Sequence, residues 1–104
     1  MMSTSSICDF CSDPELRYIY PCRRFVCAYD DVTTVSEGGW TACDDCADLI
    51  ERDRRAELYV RAIGAQRERH PLLRDPSLMG SIARRVSTLQ SSFFEHRDGA
   101  RRPL

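Results

Sequence analysis

Two Cys-x-x-Cys pairs, Cys8–Cys11 and Cys43–Cys46, lie 31 residues apart in a chain of 104. Each pair lets two sulfurs face one ion without straining the backbone. Together they can supply four thiolates to one tetrahedral zinc, at Zn–S distances of about 2.3 Å. Roughly the first 50 residues form a unit too small to be held by apolar burial alone, so a metal or disulfide staple is expected there. No run reaches the roughly 18 apolar residues needed to cross a bilayer, and MMSTSSICDF has neither the basic start nor the apolar core of a signal peptide. The expected compartment is cytoplasmic and reducing, where paired cysteines serve as zinc ligands rather than disulfides.

Residues 1–7 read as a disordered tail. Cys8-Asp-Phe-Cys11-Ser-Asp-Pro14 reads as a tight knuckle and turn. Arg17–Tyr20 and Phe25–Tyr29 are aromatic and β-branched, which predicts two short strands joined as a hairpin through Pro21–Arg24. Asp30–Val35 predicts a third strand, and Ser36–Gly39 a loop. Trp40-Thr41-Ala42 leads into a helix from Cys43 to about Arg69, its apolar pattern interrupted by the charged stretch Glu51–Arg55. Gly64 weakens this helix late, and His70-Pro71 ends it. Asp75-Pro76-Ser77 starts a second, amphipathic helix over 75–97. Its stripe is Leu78, Met79, Ile82, Val86, Leu89, Phe93 and Phe94, with Arg84, Arg85, Gln90 and Glu95 off it. The stripe is expected to pack back on the first helix and the hairpin, with part of it left over for a partner helix or a second copy. Residues 98–104 read as a frayed tail.

The order knuckle, hairpin, helix with the second Cys pair in its first turn is that of a treble-clef or zinc-ribbon arrangement. The expected fold is therefore α+β, a small four-cysteine module over 8–69 followed by helical structure. The partial positive charge at the helix N-terminus favours the thiolate forms of Cys43 and Cys46. Four sulfurs close the coordination sphere and leave no position for a catalytic water, so no enzyme is expected. The rival is a redox dithiol, because Trp40-x-x-Cys43-x-x-Cys46 also precedes a helix. Asp44 and Asp45 argue against it by raising the thiol pKa, and no βαβ scaffold surrounds the motif. A metal-dependent nuclease lacks the His and acidic-amide set that it needs. Cys22 and Cys27 read as extra semi-buried thiols, with substitute ligands or a reversible disulfide as alternatives. His70 and His96 lack ligand spacing to any cysteine.

All the basic residues are Arg, and their distribution is uneven. Residues 1–53 carry four Arg against eleven acidic groups, whereas 54–104 carry eleven Arg against five. The zinc half is acidic and the helical half basic. Arg54, Arg55, Arg61, Arg84 and Arg85 are candidates for partner contact, together with Leu78, Ile82 and Phe93 on the second helix. Interleaved acids, with Glu57–Arg61 and Glu51–Arg55 at i, i+4, also fit a solvated, salt-bridged face.

At CDFCSDP, YPCRRF and GGWTACDDCADLIERDRRAEL the chain resembles small, mostly uncharacterised zinc-ribbon proteins of actinobacteria and their phages. The likeness covers roughly residues 8–64, with Trp40 and Leu49-Ile50-Glu51 as flanking marks, and the Lys-free composition fits such a source. It implies one structural zinc on Cys8, Cys11, Cys43 and Cys46, leaves Cys22 and Cys27 outside the ligand set, and implies no defined activity. The functional expectation is a non-enzymatic regulator that binds another protein, such as a phage-encoded modulator of a host protein. A homodimer through the C-terminal helix is a further option. A nucleic-acid-binding regulator using the Arg-rich half is the alternative, and a zinc-thiolate redox sensor stands third.

Overall fold

The computed structural model describes residues 7–69 and 75–104. The predicted tail up to Ser6 and the helix stop at His70-Pro71 lie outside the described residues. Strand β1 (Tyr18–Tyr20) is central in a three-stranded antiparallel sheet, between β4 (Trp40–Ala42) and β5 (Arg102–Pro103). Its register places Tyr18 opposite Ala42 and Tyr20 opposite Trp40. Strands β2 (Phe25–Tyr29) and β3 (Val32–Ser36) form a separate hairpin. Three helices follow β4: α1 (Asp44–Glu51), α2 (Arg55–Arg69) and α3 (Pro76–His96). The architecture is a small α+β fold.

The predicted β1–β2 hairpin does not form. Pro21 has no N–H to give a ladder, and the rest of that connection bonds to the end of α3. Cys22 bridges Arg97, Arg23 N–H donates to the His96 carbonyl at 2.9 Å, and Asp98 N–H to that of Pro21 at 2.8 Å. The true turn is Asp30-Asp31, with φ of 46° and 63°. Two left-handed residues give the twist that a two-residue hairpin needs, so β3 starts at Val32 rather than Asp30. Trp40–Ala42, expected as a lead-in, is strand. Gly39 permits its approach: a Cβ there would lie 2.9 Å from the Ile19 side chain and 3.1 Å from the Tyr20 carbonyl oxygen.

The single long helix predicted from Cys43 is two helices. Arg54 N–H donates to the Leu49 carbonyl at 2.8 Å and Asp53 N–H to that of Ile50 at 3.1 Å. With Asp53 at φ 55° this is a Schellman stop. Further on, Asp75 caps α3 by accepting from Ser77 N–H at 3.0 Å. The expected frayed tail is corrected as well. Arg102 pairs with Ile19, Leu104 N–H donates to the Arg17 carbonyl at 2.9 Å, and the Arg101 guanidinium lies 4.1 Å over the Tyr18 ring. The free edge of β1 supplies the hydrogen bonds that order this segment.

The core is an aromatic cluster closed by α3. Phe93 is 0% exposed. Its ring centroid lies 5.0 Å from that of Phe10, 5.2 Å from Trp40, 5.9 Å from Tyr20 and 5.2 Å from Phe94. Leu58 and Ala62 of α2, with Ala47 and Ile50 of α1, are also buried. Gln90, expected off the apolar stripe, is buried too, with Nε2 3.5 Å from the Leu58 carbonyl oxygen.

Candidate metal centre

The knuckle is fixed from both sides. Cys8 N–H donates to the Asp13 carbonyl at 2.7 Å, and Ser12 N–H returns to the Cys8 carbonyl at 2.8 Å. Ser12 takes φ 67° to close this turn, and Phe10 N–H points at Cys8 Sγ at 3.4 Å. Asp9 ties the knuckle to β4, accepting from Thr41 N–H at 2.7 Å and lying 3.1 Å from Thr41 Oγ1. Strand β4 therefore aims the knuckle at the residue that follows it, Cys43. Cys43 occupies the N-cap position of α1 and makes no side-chain capping bond to its backbone. Its sulfur faces the knuckle, and Cys46 joins it from the first turn of α1.

The four sulfurs all lie within 4.8 Å of one another, with Cys11 and Cys43 3.6 Å apart. A tetrahedron with zinc–sulfur bonds of about 2.3 Å has edges of about 3.8 Å, so the cluster is already near the size of an ion's first shell. All four residues are buried, at 0–5% exposure. Their protons are shared unequally. Cys11 is held far below the usual thiol range by hydrogen bonds from the Cys46 and Cys8 thiols. Cys46 is pushed far up by Cys11, then by Cys8 and by burial. Cys8 rises to about 11, Cys11 again being the first cause. Four thiols at this density compete for protons, and a bound cation relieves that competition by keeping all of them ionised.

Arg61 supplies a separate indication that the cluster carries charge. Its Nη2 lies 3.8 Å from Cys43 Sγ and 3.3 Å from Asp45 Oδ2, while its Nε is buried with no hydrogen-bond partner. A guanidinium left this way against sulfur matches an anionic thiolate cluster better than neutral thiols. The donor set is all sulfur and suits a soft or borderline ion. The residues fit one closed, structural metal ion.

Cys22 and Cys27 lie outside this cluster, and burial pushes the Cys22 thiol up. His96 is structural: its ring packs tilted against Phe25 with centroids 5.1 Å apart, and Nδ1 is 2.7 Å from the Ser92 carbonyl oxygen. His70 lies outside the described residues.

The residues expected to meet a partner are scattered or already engaged. Phe93 is at the centre of the core, as the inward packing of the stripe anticipates, and is removed from the partner candidates. Arg54 pairs with Glu57, and Arg55 with Asp53 at 2.8 Å while covering Phe94. Arg84 pairs with Asp30 at 2.6 Å. The expected Glu57–Arg61 and Glu51–Arg55 pairs are replaced, since Arg61 turns to Asp45 and Glu51 accepts from the Tyr20 hydroxyl at 2.9 Å. Arg85 is exposed beside Val86 and Leu89, Leu78 is exposed, and Ile82 is half-buried.

A surface not singled out by the sequence runs beside the metal centre. An open groove of about 700 Å³ lies between the knuckle and α2, with Leu49, Ala56, Val60, Gly64 and Ala65 as its apolar lining. Val60 is 66% exposed, and a Cβ on Gly64 would meet nothing within 4 Å. Its sequence signal was the i, i+4 series Ala56, Val60, Gly64, hidden because all three residues are small. Set against protein-family models, curated proteins and solved structures, the chain matches none. Among the described residues no helix is long and apolar enough to cross a membrane.

Proposed function

We propose that this chain is a non-enzymatic, regulatory interaction module built on one structural zinc ion, which Cys8, Cys11, Cys43 and Cys46 hold, and that it binds another protein in the groove along α2. The observation that carries the reading is the closure of the centre. Four buried sulfurs satisfy a tetrahedral ion and leave it no open position for substrate or water. Its chemistry is then structural, and function falls to the surface that it organises. The groove is the best candidate for that surface, because it has an apolar lining and adjoins the zinc ligand Cys11. Asp13, Glu57 and Glu68 line it, and a four-thiolate zinc adds two negative charges beneath. Arg61 and Arg69 also line it but are engaged by Asp45 and by the Ser12 carbonyl oxygen at 2.7 Å. A partner segment with an aliphatic side chain flanked by basic residues fits this field.

Internal pairing of Arg54, Arg55, Arg61 and Arg84 weighs against nucleic-acid binding, since those cations are already matched by carboxylates. Native mass spectrometry of protein purified without added metal should show one zinc per chain. A metal-free chain with disulfides would sink the reading and favour redox chemistry. Gel shifts with mixed-sequence DNA should show no band at low salt, and a band that moderate salt abolishes would favour the nucleic-acid alternative. Val60→Asp should keep the zinc yet lose any partner that the wild type captures. Equal capture by both would remove the groove from the proposal.

A further inference from the structure

Arg61 stands between the metal cluster and the α2 groove, and its surroundings are unusual for a salt-bridged helical arginine. Its side chain is 33% exposed, whereas that of Asp45, its carboxylate partner, is 77% exposed. A pair so open to water on the acid's side is weak, so it does not account for the burial of the guanidinium. The sulfurs do. Nη2 reaches Cys43 Sγ at 3.8 Å, and Nε is enclosed without an oxygen acceptor. One nitrogen, Nη2, touches sulfur and carboxylate together, and the guanidinium spreads its charge over the plane that Nε carries into the interior.

Resting on the zinc reading above, we infer that Arg61 is a positioning residue of the metal centre, whose guanidinium holds charge and N–H donors against the Cys43 side of the cluster and so slows release of the ion. The chemistry is simple exchange. A zinc–sulfur bond breaks, the freed thiolate takes a proton from water, and the zinc leaves on the incoming chelator with no change of oxidation state. A cation beside the sulfur attracts the thiolate and holds it at its place in the cluster. The N–H from Nη2 also fixes the direction in which the Cys43 sulfur points. Outer-shell partners of this kind typically change metal affinity by about 10–100-fold when removed.

The test uses the zinc-loaded full chain and follows transfer of zinc to a coloured chelator in excess. Wild type, Arg61→Gln and Arg61→Lys are compared with Ala62→Gly, which weakens the same buried turn of α2 without touching the cluster. Arg61→Gln should transfer zinc about tenfold faster than wild type or more, with Arg61→Lys between them and Ala62→Gly close to wild type. In cobalt-loaded protein, the thiolate-to-cobalt charge-transfer band should shift in Arg61→Gln and stay in place in Ala62→Gly. Should Arg61→Gln not fold, the Lys variant carries the same comparison. Unchanged transfer with an unmoved band overturns the inference, as does an Ala62→Gly variant that matches Arg61→Gln in both readouts. Wild-type protein that takes up neither zinc nor cobalt removes the zinc reading itself, and Arg61's role with it.

Discussion

At Asp53 the backbone turns left-handed, at φ 55°, to end α1 and aim α2 across the metal centre. This position of a Schellman stop favours glycine, because a Cβ there meets the neighbouring carbonyl. Asp53→Gly is expected to stabilise the zinc-loaded protein by about 0.5 kcal/mol in urea unfolding. Relief of a left-handed residue, worth about 1–2 kcal/mol, outweighs the added chain entropy of glycine and an exposed ion pair to Arg55 worth about 0–1 kcal/mol. A measured loss would show that the Arg55 pair matters more than the strain. The four cysteines were legible in the sequence because ligand spacing is local chemistry, with two residues between the cysteines of each pair. Arg61 was not. Its sequence neighbour Glu57 offered a sufficient i, i+4 explanation, and only the fold shows Asp45 and Cys43 taking that place.

Among the elements, α3 shows why pattern and placement differ. Its cap at Asp75 and its apolar stripe were readable, since both are set by residues within a turn or two. Which of those residues would be core was not, because that depends on Phe10, Tyr20 and Trp40 from other elements. Phe93→Ala should cost about 3–5 kcal/mol, a large share of the total for a domain whose stability is about 5–15 kcal/mol. Guanidinium unfolding of the zinc-loaded variant measures it, with loss of near-ultraviolet aromatic dichroism alongside. A cost under about 1 kcal/mol would mean that α3 is not seated as described. The strand pairing failed for a related reason. Short aromatic runs reveal strands but not partners, and Pro21 diverted the connection after β1 to the end of α3.

Over the whole molecule, the charge asymmetry of the sequence is resolved as contact between its halves. Arg61 meets Asp45, Arg84 meets Asp30, and Arg97 approaches Glu51 at 3.9 Å. The knuckle and α3 share the core through Phe10 and Phe93, so the metal centre and the C-terminal helix should stand or fall together. Stripping zinc with a chelator under reducing conditions should abolish near-ultraviolet dichroism and most helical signal in one transition, and restoring zinc should recover both. Retention of the aromatic signal without metal would separate the core from the centre. The sheet order also bears on how such a chain can lengthen. Strands β1 and β4 are partners, and the β2–β3 hairpin is wholly contained between them. A tight turn from Tyr20 to Trp40 could replace the hairpin without breaking the β1–β4 pairing. Yet Phe25 on the hairpin packs against His96 and Asp30 holds Arg84, both on α3. Hairpin and third helix therefore brace each other, and a chain that lost one would leave the other without a wall to lean on.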